Sequence, residues 1–576
     1  MKRGTLTLAL LLLLVSGCGG TDSAKPAAAT DLAIPAPGDT AIVRLETEAD
    51  SLNPIISATA NASAIMFGAN NSHVFESLLQ QETSDWVTPK PLLSETRPEI
   101  SADHLIYIFP LRQGVAWHDG KPFTPEDALF TLKVLMTPGV DSGRLRGYLA
   151  SVTDIDVVDG KKLRFTLSQP YFMNESALGA NVAIVAKHVF DPQGVLDGFT
   201  YKDLVAAKNQ TNPKLLEFGK AFNSNPAARA PIGTGPFKFE KWDTGKEVVV
   251  ARNDQYWGTK PWLAKVVYRF ITDGTAALTA LKSGEIDFNA RLLPIQFSQQ
   301  TSGPAFDDKL EKKPYTLPQY YYIGWNEDRP YFKDKRVRQA LTMLLNREQM
   351  VEKVRFGLGI VATSHFNPGS GDYNPNLKPL PYDPKKAAEL LDEAGWKDSN
   401  GDGIRDKDGK PFSFEFLTTT SEFSNQLSAI VKEEFRKAGI DVKEKHLEGA
   451  TFQNTMRDRA FDAEASGWAS NLITDPYQIW HSSSIANRGS NVIGFRNKES
   501  DTLIEQARME FDVTKRRALF WKWQELIADE QPYTFLFYPQ ESAAYSKRLQ
   551  NVKFIPSRPG YDLNTIYVPA SQQKYK

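Results

Sequence analysis

The chain contains a single cysteine, Cys18, among 576 residues. Because a disulfide needs two cysteines, the folded body has no internal cross-link and must draw its stability from a large hydrophobic core. Lys2, Arg3 and an apolar run at residues 5–15 precede the cysteine. Two basic residues and a short apolar run are typical of an export signal, and this run is shorter than the about 20 residues needed to span a bilayer. We therefore expect an exported chain that is stabilised by its core.

Residues 15–18 (VSGC) resemble a lipobox, which a lipoprotein signal peptidase reads. On this interpretation residues 1–18 are a lipoprotein signal peptide, and Cys18 becomes the lipid-bearing first residue of the mature protein. The alternative is an ordinary signal peptide with a cysteine present by chance. Residues 19–37 are rich in Ala, Pro, Gly, Ser and Thr, and this composition predicts a flexible tether. We expect a periplasmic or cell-surface location, with the choice of membrane and leaflet open.

The composition argues against some classes of partner. Lys and Arg total 68 and Asp and Glu total 69, which leaves a net charge of −1, so no charge excess draws the chain to nucleic acid. The 11 Trp, 20 Tyr and 33 Phe residues suit a protein with large apolar-walled pockets, and a large core accounts for them equally well.

Predicted helices and strands alternate along the body. Thr124, Pro125 and the acidic pair that follows them form the start signal of a helix: an N-cap, a proline at the first helical position and acids in the first turn. Gly395 and Gly439 stand where helices should end in left-handed caps. The predicted strands are residues 105–112, 411–417 and 440–447, and the predicted helices include residues 334–354, 383–395 and 421–438. Such alternation predicts an α/β fold with helices on the sheet faces.

Several motifs occur in one order along the chain. They are residues 51–54 (SLNP), 74–79 (VFESLL), 111–130 (LRQGVAWHDGKPFTPEDALF), 233–237 (GTGPF), 252–258 (RNDQYWG), 277–288 (ALTALKSGEIDF), 332–347 (FKDKRVRQALTMLLNR), 467–468 (GW) and 475–495. From about residue 40 to the C-terminus the chain resembles the family 5 extracellular solute-binding proteins, the peptide-, dipeptide- and nickel-binding receptors of ABC importers.

The resemblance implies a two-lobed periplasmic-binding-protein type II fold of the large three-domain (cluster C) variety, with discontinuous domains. Domain I is expected to comprise residues 38–76, 188–322 and 538–576. Domain II is expected at residues 77–187 and domain III at residues 323–537. The chain would cross between lobes near residues 320–322 and 534–538, and the ligand would be buried between the domains.

We find no catalytic constellation in the sequence, so we expect a binding protein and not an enzyme. His118 has no second His or Cys near it, which favours a packed turn histidine over a metal ligand. The GTGPF segment lacks the Gly-Lys-Ser/Thr ending of a phosphate loop and precedes a predicted strand. The serines at residues 482–484 have no G-x-S-x-G frame. No cofactor is required.

One loop, at residues 398–409 (DSNGDGIRDKDG), resembles a calcium loop. Asp398, Asn400, Asp402 and Asp406 stand at its ligand positions, but Gly409 replaces the bidentate glutamate at position twelve. The alternatives are a polar hairpin, which we favour, and a weak structural calcium site.

The resemblance also implies ligand-binding residues. In peptide receptors of this family, an aspartate three residues after the tryptophan of the Gly-Trp motif holds the α-amino group of the peptide. In this chain Trp468 leads to Asn471 at that position, and Asp475 lies four residues further on. An amide can accept a hydrogen bond from an ammonium but supplies no countercharge. Asp475 could supply that charge, so the choice between Asn471 and Asp475 for this role stays open. The candidate ligand-binding residues are Trp468, Ser470, Asn471, Asp475, Tyr321, Tyr322, Trp480 and Asn491. Hinge or core packing is the alternative for Tyr321, Tyr322, Trp480 and Asn491.

The expected function is that of a lipid-anchored, monomeric receptor that delivers oligopeptides or dipeptides to the permease and ATPase subunits of an ABC importer. The alternatives are the same role for an oligosaccharide, an opine-like compound or a nickel chelate, or an exported sensor, chaperone or hydrolase.

Overall fold

The computed structural model describes residues 35–57, 59–68, 72–81, 88–206 and 210–575. The predicted signal peptide, Cys18 and most of the predicted tether lie outside the described residues. Among the residues that the structure describes, no helix has the length and apolar character needed to cross a membrane.

The strands of the described residues, in chain order, are β1 (Thr40–Leu45), β2 (Leu79–Gln80), β3 (Lys90–Pro91), β4 (Glu99–Ile100), β5 (Ile106–Pro110), β6 (Val152–Val158), β7 (Lys162–Leu167), β8 (Phe237–Asp243), β9 (Glu247–Arg252), β10 (Lys265–Phe270), β11 (Phe288–Asn289), β12 (Leu310–Thr316), β13 (Gln319–Trp325), β14 (Gly359–Val361), β15 (Asp406–Lys407), β16 (Lys410–Pro411), β17 (Ser413–Thr419), β18 (Asp441–Leu447), β19 (Ala463–Ala469), β20 (Tyr533–Ser546), β21 (Lys553–Phe554) and β22 (Tyr561–Asp562).

The α-helices, again in chain order, are α1 (Ala60–Met66), α2 (Pro125–Met136), α3 (Gly143–Arg146), α4 (Asn174–Gly179), α5 (Lys187–Phe190), α6 (Tyr201–Val205), α7 (Pro213–Asn223), α8 (Gly274–Ser283), α9 (Pro304–Asp307), α10 (Lys335–Met343), α11 (Arg347–Arg355), α12 (Pro384–Glu393), α13 (Glu422–Lys437), α14 (Gly449–Arg457), α15 (Tyr477–Trp480), α16 (Lys498–Met509) and α17 (Val513–Glu530).

Capping residues set the helix ends much as the sequence predicts. Thr124 and Asp127 form a capping box at the start of α2, and Gly395 adopts the left-handed φ of +88° just after α12. The expected single helix at residues 334–354 is wrong in one respect, because the structure divides it into α10 and α11. Asn346 accepts a hydrogen bond from the Gln349 amide and so caps a second helix in the middle of the apolar pattern.

A large mixed sheet runs through most of the body. Its strand order is β18-β17-β19-β13-β20-β11-β1-β10-β9-β8, and β12 and β14 also pair with β20. A separate antiparallel sheet has the order β4-β5-β7-β6 and lies within residues 77–187, the range predicted for domain II.

The hydrophobic cores divide the body into two lobes. One large core contains residues such as Val43 of β1, Leu132 of α2 and Val266 of β10, so the predicted domains I and II share it. The buried residues of two further cores come from residues 320–538, for example Trp325 in one and Trp480 in the other. We call the part built on the first core the first lobe and the part built on residues 323–537 the second lobe.

Two long antiparallel stretches connect the lobes. The first half of β20 pairs with β13 and β14, and residues 540–546 of β20 pair with β12. Between β12 and β13 lie Leu317 and Pro318, close to Pro539 of β20. Proline has no amide hydrogen to donate to a ladder, and no ladder pair joins residues 317–320 to β20 between the Thr316–Gln540 and Tyr321–Phe537 pairs. The crossings near residues 320–322 and 534–538 and the domain boundaries stay predictions.

A buried ion triad joins the three chain segments that the prediction assigns to domain I. Arg548 Nη1 lies 2.7 Å from Asp39 Oδ2, and Arg548 Nε lies 2.7 Å from Asp287 Oδ1. All three side chains are almost fully enclosed. The triad therefore ties the start of the described chain to its C-terminal segment.

Candidate functional site: an interlobe cavity

A cavity of about 260 Å³ lies between the lobes. The first lobe contributes Arg144, Asn181 and Arg558 to its wall, and the second lobe contributes Asn471 and Ile473. Residues from all three predicted domains therefore meet around one space, which is the usual position of a small-molecule site in a multidomain protein.

Asn471 is the one candidate ligand-binding residue of the eight, all of them described, that lines this cavity. It is exposed and follows Ser470, whose amide donates a hydrogen bond to the Pro318 carbonyl oxygen at 2.9 Å. The loop that carries Asn471 is thus attached to the junction between the lobes, and movement of the junction would move the amide.

Asp475 lies on the same loop, but its carboxylate is used in a contact between the lobes. The Tyr171 hydroxyl of the first lobe donates a hydrogen bond to Asp475 Oδ2 at 2.8 Å. Arg508 Nε of the second lobe lies 3.0 Å from the same oxygen, and the Tyr477 amide donates to Asp475 Oδ1 at 2.9 Å. Both carboxylate oxygens are therefore occupied by protein groups.

The surroundings of Tyr171 extend this contact. The Phe172 amide donates a hydrogen bond to the Arg508 carbonyl oxygen at 3.0 Å, and the Arg508 guanidinium lies over the Tyr171 ring at 4.8 Å from its centroid. Burial, followed by the nearby Asp475 charge, raises the pKa of Tyr171, so the hydroxyl keeps its proton for donation. We call Tyr171, Phe172, Asp475 and Arg508 the rim contact.

Two arginines in the cavity wall were not predicted from the sequence. Arg144 Nη2 donates to the Ser57 carbonyl oxygen at 3.1 Å, and Arg558 Nη2 donates to Gln319 Oε1 at 3.1 Å. Burial, followed by repulsion from Arg291, lowers the pKa of Arg558. Nothing in the local sequence distinguishes either arginine from the others in the chain, because their convergence depends on the packing of the first lobe.

Similarity to known proteins identifies the family. The model of "Bacterial extracellular solute-binding proteins, family 5 Middle" matches residues 88–490. The chain belongs to this family. The oligopeptide-binding protein AppA of Bacillus subtilis is 32% identical over 582 residues, covering 98% of each chain.

Solved structures of family 5 proteins share the fold. The structure of Bacillus subtilis AppA in complex with a nonapeptide matches with a TM-score of 0.72 at 30% identity, covering 93% of this chain and 100% of AppA. The structure of Campylobacter jejuni NikZ in complex with Ni(L-His) matches with a TM-score of 0.70 at 26% identity, covering 92% and 98%. These matches confirm the predicted large multidomain type II fold. They also confirm an extracytoplasmic solute-binding protein and not an enzyme.

Three candidate residues of this family 5 protein lie in the core of the second lobe. Tyr322 stacks on Tyr533 with ring centroids 3.9 Å apart, and Trp480 is fully buried. Asn491 is also fully buried, and its side chain bonds to the backbone of His481 and Phe495. These side chains pack in the core, as the core-packing alternative expects, and a ligand role for them stays a prediction.

The other two candidates lie between the core and the surface. Trp468 is half-buried against the core that contains Tyr320, and its indole nitrogen lies 3.5 Å from the Tyr533 hydroxyl. Tyr321 packs between Phe423 and Phe537. A ligand role for either residue stays a prediction.

A buried acid that the sequence did not single out lies beside these aromatic residues. Glu464 on β19 is fully buried, and neither of its carboxylate oxygens accepts a hydrogen bond from the residues that the structure describes. Burial raises its pKa to about 8, so the carboxyl is neutral at pH 7. The sequence around Glu464 does not reveal that its carboxyl is protonated, because its burial depends on how β19 packs in the fold.

His118 is a packed turn histidine, as the sequence favours. Its Nδ1 accepts a hydrogen bond from the Gly233 amide at 3.1 Å, and its Nε2 donates to the Gly235 carbonyl oxygen at 3.0 Å. Burial lowers its pKa to about 4. The GTGPF segment is followed by β8, as expected, and forms no phosphate loop.

The loop at residues 398–409 is a compact polar turn that leads into the hairpin of β15 and β16. The Asp398 carboxylate accepts hydrogen bonds from the Gly401 and Gly403 amides, and the Asp406 carboxylate accepts from Ser399. No group of three or more His, Cys, Asp or Glu side chains in the described part of the chain is arranged to hold a metal ion. Calcium binding by Asp398, Asn400, Asp402 and Asp406 stays a prediction.

Proposed function

We propose that this family 5 protein is a lipid-anchored receptor that captures short peptides in the interlobe cavity and delivers them to an ABC import permease. The observation that carries the proposal is the cavity itself, because residues of both lobes line it. A ligand bound by both lobes favours the closed conformation by its differential affinity.

The size of the cavity supports a short ligand. Pockets for drug-sized molecules have volumes of about 300–1,000 Å³, and this cavity of about 260 Å³ lies just below that range. Dipeptides and tripeptides therefore suit it better than the nonapeptide bound by AppA.

The second candidate ligand is a nickel chelate. The likeness to NikZ, solved with Ni(L-His), favours it, and so does the absence of a free carboxylate at Asn471 and Asp475 to neutralise a peptide ammonium. An oligosaccharide or an opine-like compound receives no comparable support.

Native mass spectrometry of the protein purified from its own host tests the ligand class. We expect a set of masses that corresponds to bound peptides of a few residues. A single bound species that contains nickel would replace the peptide proposal with the chelate, and the isotope pattern of nickel separates the two outcomes.

The lipid anchor needs its own test because Cys18 lies outside the described residues. Replacement of Cys18 by serine removes the thiol that would carry the lipid, so we expect the protein to leave the membrane fraction and to lose a metabolically incorporated acyl label. The matched control is Ser16→Ala, which keeps the thiol. An unchanged distribution of the Cys18→Ser variant would contradict the anchor.

Delivery to a permease is the remaining step of the proposal. We expect the purified, peptide-loaded protein to stimulate ATP hydrolysis by an ABC importer encoded beside it, reconstituted in liposomes. Equal stimulation by the peptide-free protein would argue for a sensor or chaperone role.

A further inference from the structure

The charged side chains of the cavity wall are all of one sign. Among the described residues that line it, Arg144 and Arg558 are the charged ones, and the remainder are polar or apolar. Neither arginine forms an ion pair with a described carboxylate. Arg144 donates a hydrogen bond to the Ser57 carbonyl oxygen, and Arg558 donates one to the side-chain amide oxygen of Gln319. Two arginines thus line the cavity, and the described part of the wall supplies no carboxylate to either.

The charges around Arg558 do not cancel its own. After burial, repulsion from Arg291 is the largest effect that lowers the pKa of Arg558, and attraction to Glu541 opposes it less strongly. Arg291 also forms an ion pair with Glu46, Nη1 to Oε2 at 3.4 Å, and Glu541 accepts a hydrogen bond from Gln319. An anion beside Arg558 would therefore gain Coulombic energy and would relieve the repulsion between the two arginines.

The acid that could hold an ammonium is already engaged. Asp475 receives hydrogen bonds from Tyr171 and Tyr477 and an ion pair from Arg508, and only 13% of its side chain is exposed. Asn471 offers an amide, which can donate to a ligand carbonyl oxygen but cannot neutralise an ammonium. The positive end of a ligand has no charged partner in the described wall, whereas a negative end has two.

We propose that the cavity recognises its ligand through a carboxylate held by Arg144 and Arg558, and that a free α-amino group is not required. This inference rests on the proposed receptor function and specifies which end of the ligand the protein binds. Arginine suits this role because its planar guanidinium pairs with both oxygens of a carboxylate. A peptide C-terminus and a polycarboxylate share this chemistry. With the carboxylate on the first lobe, Asn471 is left to contact the ligand from the second lobe, so one molecule would bridge both.

Calorimetry on the full-length protein with blocked peptides tests the proposal. The probes are alanine peptides of two to five residues in three forms: unmodified, N-acetylated and C-amidated. We expect N-acetylation to change the affinity by less than about threefold and amidation to weaken it by at least about tenfold, the range for a lost charge-assisted hydrogen bond. Equal binding of the amidated peptide, or loss of binding on acetylation, would overturn the proposal and leave the receptor function intact.

Arginine variants show whether the carboxylate meets these two side chains. Arg558→Gln and Arg144→Gln should each weaken binding of the unmodified peptide by about tenfold and should leave binding of the amidated peptide unchanged. Arg558→Lys keeps the positive charge but loses the planar guanidinium, so its affinity for the unmodified peptide should lie between those of the original protein and Arg558→Gln. The matched control is Arg457→Gln on α14, an exposed arginine outside the cavity wall. Equal losses for unmodified and amidated peptides would indicate a general disturbance of the site and would count against the proposal.

A test with a ligand that is not a peptide separates carboxylate recognition from the peptide-receptor function. If no alanine peptide binds, the peptide function fails, and citrate then serves as the probe. Binding of citrate that is lost in Arg558→Gln would support carboxylate recognition without peptides. Failure to bind both citrate and the peptides would overturn carboxylate recognition itself.

Discussion

The hydroxyl group of Tyr171 in the first lobe lies 2.8 Å from the Asp475 carboxylate in the second lobe and donates a hydrogen bond to it. The bond lies beside the cavity, since Met173 and Ile473, two residues from Tyr171 and Asp475, line its wall. Arg508 pairs with the same carboxylate, so the bond is made to a charged acceptor, and such bonds contribute about 1.5–3 kcal/mol. The rim contact thus holds the two lobes together in this structure through groups of the protein itself.

Removal of the Tyr171 hydroxyl should open the ligand-free protein. The Tyr171→Phe variant keeps the ring beneath Arg508 and loses the hydroxyl, which bonds Asp475 across the lobes and also lies 3.2 Å from Met173 Sδ within the first lobe. We expect the open-to-closed ratio to rise by about tenfold, because the bond to Asp475 is the one that joins the lobes. Small-angle scattering should show a larger radius of gyration, and ligand affinity should fall because closing becomes less favourable. The control is Tyr477→Phe, whose lost hydroxyl bonds Ser483 within one lobe. An unchanged radius of gyration would show that the rim contact does not hold the lobes.

Much of the fold could be predicted because its signals are local. The cap of α2 at Thr124 and the end of α12 at Gly395 depend on residues within one helical turn, and the sequence shows both. The joining of two sets of strands through β20 could not be predicted in the same way. It depends on pairings such as Thr316 with Gln540, whose partners are far apart in the chain and have no turn between them that fixes their register.

The candidate site shows the same difference between residues placed by local motifs and residues placed by long-range packing. Asn471 could be placed by its count from Trp468, because a motif fixes its position on one loop. Arg144 and Arg558 could not, since they come from distant segments whose meeting depends on the core of the first lobe. Asp475 shows a further limit: its chemistry suits an ammonium, but Tyr171, which engages it, lies on a segment that no motif connects to the loop.

Glycine at position 233 should be essential for stability. A Cβ atom there would lie 1.8 Å from the Val74 carbonyl oxygen, a backbone atom that cannot move aside. We expect Gly233→Ala to lower the free energy of unfolding by about 3 kcal/mol or more, as overpacking against a rigid neighbour does. Chemical denaturation measures the change. Gly449→Ala at the start of α14 meets no atom within 4 Å and should be neutral or slightly stabilising. Similar effects of the two substitutions would contradict this account of the GTGPF motif.

The buried Glu464 carboxyl should make stability fall as the pH rises. Its pKa is about 8 in the folded protein and 4.5 as the ordinary value, so between these pH values the folded state holds a proton that the unfolded state releases. The free energy of unfolding should then decrease with a slope of up to about 1.4 kcal/mol per pH unit from this group, and should level off above pH 8.

The Glu464→Gln variant tests this dependence, because glutamine does not titrate. The stability of the variant relative to the original protein should increase steadily between pH 5 and pH 8, as measured by denaturation at each pH. Glu499→Gln is the control, since that side chain is exposed on α16 and should give a nearly constant difference. A constant difference for Glu464→Gln would show that the carboxyl is already charged when folded.

The ion triad of Asp39, Arg548 and Asp287 should hold the chain ends to the first lobe. Arg548→Met leaves two buried carboxylates without a countercharge, so we expect a loss of about 3–5 kcal/mol in the free energy of unfolding. Lys547→Met, at the neighbouring exposed position, is the control and should cost less than about 1 kcal/mol. The triple variant that adds Asp39→Asn and Asp287→Asn to Arg548→Met should be more stable than Arg548→Met alone, because the uncompensated charges are gone. A triple variant less stable than the single one would show that hydrogen bonding by the two acids, and not the balance of charge, holds the three segments together.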